Sequence, residues 1–143
     1  MHSASKLRTT SMVLSAVGLA DSVYLTWIKL VDQEIMCAGV GGCDVVNTSK
    51  YSEISGIPIA LIGAGAYLVI LLLLVIEHRS NFLQENSALY VFGLSLVGTM
   101  YSGYLTYLEI AVINAICPYC VLSAILMSVI FVLSIIRLRQ GFR

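Results

Sequence analysis

Long stretches of this chain carry no charge at all, and that constrains its fold more than any motif does. Three such runs, residues 57–76, 87–108 and 110–136, contain no Asp, Glu, Lys or Arg. A fourth, residues 9–30, is interrupted by Asp21 and closed by Trp27 and Lys29. Each is long enough to carry a helix across about 30 Å of hydrocarbon. In lipid every backbone polar group must be satisfied within the segment, which favours helices. A membrane barrel would alternate polar and apolar residues, and these runs do not. Composition agrees: 59% of the 143 residues are hydrophobic and 11% charged, too few charges to cover a water-soluble globule. The expected fold is therefore an all-α membrane protein, a four-transmembrane-helix bundle in the lipid bilayer. Residues 1–143 form one domain, with helices at about 9–30, 57–76, 87–108 and 115–136 and a long outer loop at 31–56.

The first run opens after Lys6 and Arg8, as a signal peptide does. No small-residue cleavage site follows it, so it reads as a retained helix. The formal net charge is zero, which implies no nucleic-acid partner.

Basic residues orient the bundle. Four spans put both termini and the 77–86 loop on one side, with Lys6, Arg8, Arg79, Arg137, Arg139 and Arg143; only Lys29 and Lys50 fall on the other. That bias predicts cytoplasmic termini. All four cysteines, Cys37, Cys43, Cys117 and Cys120, then lie on the extracytoplasmic side. An even number of cysteines on an oxidising face argues for disulfide chemistry and against metal.

The sharpest motif is Cys117-Pro118-Tyr119-Cys120. Residues three apart share a helix face, and proline suits a helix's first turn. The motif therefore opens the fourth helix. Unpaired N–H groups and the dipole there favour a thiolate, which suits disulfide exchange. A structural bridge or half a zinc site is the alternative. Cys37 and Cys43 have five residues between them, including Gly39, Gly41 and Gly42. Glycine freedom suits a loop that swings between partners. A static staple, or a four-cysteine zinc site, is the competing reading.

Together these features resemble the vitamin K epoxide reductase family, in its single-domain prokaryotic form. The resemblance rests on Cys37 and Cys43 in the first loop, Ser49 beyond them and Gly56-Ile57-Pro58-Ile59-Ala60-Leu61-Ile62-Gly63 with Tyr67 entering the second helix. Cys117-Pro118-Tyr119-Cys120 opens the fourth. It implies a relay. Cys37 exchanges with a partner's dithiol, Cys43 passes electrons to Cys117, and Cys120 faces a quinone of ubiquinone, menaquinone or vitamin K type. Ser49, Pro58 and Tyr119 are the candidate quinone-binding residues. The vertebrate members carry a tyrosine and an asparagine against the quinone where this chain has Ala124 and Ile59, which favours a respiratory quinone over the vitamin K epoxide. Many bacterial relatives carry a fused thioredoxin-like domain, and this chain stops at Arg143. The resemblance thus implies a separate thioredoxin-like redox protein, in a prokaryotic plasma membrane. A quinone or quinone-epoxide reductase, or a non-enzymatic membrane protein with structural cysteines, are the other functions to separate.

Weaker signals complete the reading. Asp21 sits mid-span, where a carboxyl is costly. It could tune quinone protonation or serve a proton path, but its depth below the cysteines favours a protonated or paired carboxyl inside the bundle. Ala60, Gly63, Ala64, Gly65 and Ala66 make a small-residue surface for helix packing or a quinone tail. Tyr24, Trp27, Tyr101, Tyr104 and Tyr107 form an aromatic belt. Ser22, Tyr24, Leu25 and Thr26 are echoed by Ser102, Tyr104, Leu105 and Thr106, a repeat on which nothing is rested.

Overall fold

A computed structural model describes residues 2–31, 45 and 49–141. Four helices dominate it: α1 (His2–Leu30), α2 (Ile59–Ile76), α3 (Asn81–Leu108) and α4 (Pro118–Gly141). All four are long and apolar enough to cross a membrane. The fold is a four-helix membrane bundle. Cys37 and Cys43 lie outside the described residues.

The helices are not coextensive with the apolar runs. Helix α1 starts at His2, because hydrophobicity limits the membrane contact and not the hydrogen-bond ladder. Thr9 and Thr10 donate back to the Ser5 and Lys6 carbonyls at 3.0 and 2.9 Å, so polar residues continue the helix. Its 29 residues span about 44 Å at 1.5 Å each, more than the hydrocarbon. Helix α3 likewise begins at Asn81. Helix α4 begins at Pro118 rather than 115 and runs to Gly141, since proline fits only its first turn.

Residues 57 and 58 are not helical. Strand β1 (Glu53–Ile54) pairs antiparallel with β2 (Ile57–Pro58). Ser55 and Gly56 join them at φ 54° and 84°, the left-handed pair that a two-residue hairpin needs. Gly56 is where that conformation is free of steric cost. A 3₁₀ turn at Lys50–Ser52 precedes the hairpin. Lys29 ties this segment to α1: its Nζ donates to Ser52 Oγ and pairs with Glu53 Oε1 at 3.2 Å.

A stripe of small polar residues, Ser11, Ser15, Gly18, Ser22 and Thr26, is buried along α1. The hydroxyls of Ser11, Ser15 and Thr26 bond to the carbonyl four residues back, so they enter apolar surroundings satisfied. Small side chains there let the helices approach closely. Gly18 makes room for the Tyr67 ring, which a Cβ at that position would overlap. The Tyr67 hydroxyl reaches α4, donating to the Ser123 carbonyl at 2.8 Å and meeting Ser123 Oγ at 2.9 Å. One residue thus pins α1, α2 and α4 together. Around it the core comprises Ile70, Leu74, Val91, Met127 and Ile130.

The opposite end of the bundle is closed by charge. Arg137 Nη2 donates to both Glu77 oxygens at 2.6 and 2.9 Å, with both side chains nearly buried.

Candidate functional site

The chain between α3 and α4 builds the site. Helix α3 runs into a single π turn, Glu109–Ile113, closed by Asn114 at φ 56°. Asparagine tolerates this left-handed conformation better than most residues. The N–H groups of Asn114 and Ala115 both return to the Glu109 carbonyl, and the chain turns back to start α4.

Cys117 stands at the position capping α4. Val121 N–H donates to its carbonyl at 3.0 Å, and Cys120 N–H donates to its sulfur at 3.3 Å. The sulfur thus does what a serine hydroxyl does at a helix start, accepting from the third helical N–H. Cys117 is 1% exposed and packs on Leu25 and Ile28. Cys117 and Cys120 are both free thiols. The Cys120 side chain, by hydrogen bonding, holds the Cys117 thiol below its ordinary range; burial and the Glu109 carboxylate oppose this.

A cavity of about 680 Å³ opens beside the pair, lined by all four helices and the 49–54 segment. It reaches from Leu108 to Gly93 along α3, about 22 Å of helix. Its walls are chiefly apolar, with Leu94, Val97, Ile62, Ala66 and Met127 among them. The polar groups are few: Asp21, Lys29, Glu109, Cys120 and several hydroxyls. This is the composition of a site for a largely apolar ligand with a polar head.

The expected site residues divide. Cys120 and Ser49 line the cavity. Ser49 begins the 3₁₀ turn without a side-chain cap, and its carbonyl accepts from Ser52. Pro58 and Tyr119 are not among the lining residues. Pro58 is buried at the start of α2. Tyr119 packs against the Tyr24 ring, centroids 5.5 Å apart, and against the Cys117 cluster. Ile59 lines the cavity; Ala124 does not, while its neighbour Ser123 does.

Asp21 departs from expectation. It lines the same cavity as Cys120, and its Oδ2 is buried without a hydrogen-bond partner among the described residues. Depth along α1 argues for a protonated or paired carboxyl well below the cysteines; Asp21 is unpaired among the described residues, and the cavity itself reaches down to it. Of the belt aromatics, Tyr101 lines the cavity, whereas Trp27, Tyr104 and Tyr107 are exposed. Ala64 serves packing, while Ala60, Gly63 and Ala66 form cavity wall. Ser22 and Ser102, and Leu25 and Leu105, line the cavity from α1 and α3.

One residue was missed altogether. Glu109 is 3% exposed, lines the cavity, and its Oε2 accepts the Cys117 N–H at 3.3 Å. The signal was present: Glu109 is the sole charge between residues 87 and 136, eight positions before Cys117.

Comparison with known proteins agrees with this layout. The thiol-disulfide oxidoreductase LTO1 of Arabidopsis thaliana is 29% identical over 123 residues, 82% of this chain and 33% of the relative. The chain thus spans about a third of that protein's length. The family described as vitamin K epoxide reductase matches residues 9–135. With that match covering the four helices, the hairpin and the capping cysteine pair, the chain belongs to the vitamin K epoxide reductase family.

Proposed function

We propose that this integral membrane protein is a thiol oxidoreductase that passes electrons from a thioredoxin-like partner's dithiol to a quinone. The observation that carries the reading is Cys120 on the wall of a long apolar cavity, with Cys117 behind it at the helix start. A quinone bound there accepts two electrons and two protons and leaves as the hydroquinone.

The chain's own residues supply the rest. Cys37 and Cys43 receive the partner's electrons, and Cys43 hands them to Cys117. The buried Cys117 is favoured as thiolate by its bond from Cys120, so it leaves and attacks readily. Cys120 faces the acceptor. The hairpin and Ser49 close the cavity over the ring, held by the Lys29 contacts. Pro58 starts α2 and Tyr119 packs behind the pair; they shape the site from outside the cavity. Asp21 offers the acceptor's oxygen a carboxyl with no hydrogen-bond partner among the described residues. The apolar Ile59 on the wall favours a respiratory quinone over an epoxide. The cysteine side faces away from the cytoplasm, where the thioredoxin-like dithiol approaches.

The direct test incubates the purified protein with a ubiquinone or menaquinone analogue and a reduced thioredoxin-like protein, following quinone absorbance. No change with any quinone sinks the reading. Cys120→Ser stops quinone reduction. Cys37→Ser blocks the protein partner yet spares reduction driven by a small dithiol; equal loss of both contradicts the relay order. Normal turnover in Asp21→Asn removes that carboxyl from the chemistry.

A further inference from the structure

Glu109 is a buried carboxyl placed on the cysteine pair by a dedicated piece of backbone. The π turn and the left-handed Asn114 bring it back against the start of α4. Its Oε2 accepts from the Cys117 N–H at 3.3 Å, and its carboxyl lies against the Cys120 side chain. It also opens onto the cavity. A carboxyl used only as a helix cap has no need of a face on the thiol and a face on the cavity.

We propose that Glu109 is the proton carrier of the Cys117–Cys120 pair, taking a thiol proton as a sulfur becomes reactive and releasing it to the acceptor as the disulfide forms. This rests on the quinone reading for the proton's destination, but not for its origin. The balance closes. The reduced pair holds two electrons and two protons. One S–H bond breaks and an O–H bond forms on Glu109; the Cys117–Cys120 S–S bond then forms, and the electron pair leaves for the quinone. The proton on Glu109 and the remaining thiol proton go to the two quinone oxygens, giving a hydroquinone and a disulfide. The other titratable groups on the cavity wall are Asp21 and Lys29 of α1, Tyr51 of the 3₁₀ turn, Tyr67 of α2 and Tyr101 of α3. Among the described residues, Glu109 is the one of these groups that accepts the Cys117 N–H.

The test compares Glu109→Gln, Glu109→Ala and the unaltered full chain in detergent, all fully reduced. The first readout needs no quinone: the rate of alkylation of Cys117 and Cys120 by a small neutral reagent against pH, resolved by mass spectrometry. Where Glu109 and a thiol share one proton, the thiolate fraction is constant between the two titrations of the pair. The unaltered protein therefore shows a pH-independent plateau on the acid side. In Glu109→Gln, which keeps an oxygen for the Cys117 N–H, the rate instead falls about tenfold per pH unit with no plateau. The second readout is quinone reduction, where both variants lose about 10²-fold in kcat, the scale of a lost acid–base group. Activity and plateau retained in Glu109→Gln but lost in Glu109→Ala make Glu109 a helix cap alone and overturn the proposal. The same pH slope in all three proteins overturns it too. If the unaltered protein reduces no quinone but shows the plateau, the function reading fails while the proton carrier stands.

Discussion

Replacing Cys117 separates its structural duty from the chemical one proposed for it. Its sulfur accepts the Cys120 N–H at 3.3 Å and is 1% exposed against Leu25 and Ile28. Cys117→Ala deletes both contributions. A lost side-chain cap costs about 1 kcal/mol, toward the lower part of that range because sulfur is a weak acceptor. Removing one buried methylene-sized atom adds about 0.8 kcal/mol. The expected loss is about 1.5 kcal/mol. Cys117→Ser keeps an oxygen at the cap, a better acceptor than sulfur, and recovers about 1 kcal/mol of it. For a chain of this size that difference is roughly 3–5 °C in thermal midpoint. Thermal unfolding in detergent, followed by circular dichroism, measures it, alongside disulfide exchange with a small dithiol. Both variants lose exchange through the pair. If Cys117→Ala unfolds no earlier than Cys117→Ser, the sulfur is not the cap. If Cys117→Ser still reduces the acceptor, the pair is not the route.

Three further outcomes follow from the geometry. Truncating Arg137 to Ala strands the nearly buried Glu77 carboxylate and costs about 3–5 kcal/mol in chemical denaturation, whereas the paired change Glu77→Leu with Arg137→Met costs far less. Gly18→Ala drives a methyl into the Tyr67 ring and costs about 1–3 kcal/mol; Gly63→Ala, whose Cβ would sit 3.5 Å from Ser22 Oγ, is close to neutral by the same thermal assay. The lowered Cys117 pKa means its thiolate is present at lower pH than in a free thiol, so its exchange rate rises with pH and saturates below the ordinary value of about 8.5. Cys120→Ala removes the bond responsible and moves that midpoint up; an unmoved midpoint would refute the cause given.

The sequence by itself determined the class of fold and where the candidate cysteine pair sits. Hydrophobic length is a one-dimensional property, so four apolar runs, three of them uncharged, became four spanning helices without reference to their neighbours. Cys117-Pro118-Tyr119-Cys120 is equally local: proline at the first helical position fixed where α4 starts, and the three-residue spacing put both sulfurs at that start. The helix ends were less legible, because serine, threonine and asparagine extend a helix outside the apolar limits, as at His2 and Asn81. The cavity was decided only in three dimensions. Whether Ala64 packs while Ala60 and Ala66 form wall depends on which helices stand opposite them. Asp21 looked remote because distance was counted along α1, whereas the cavity runs down the bundle axis to reach it. Glu109 was visible as a lone charge, but its place on the cysteine pair depends on the π turn and the left-handed Asn114. Those are backbone departures that only the packing of α3 against α4 makes worthwhile.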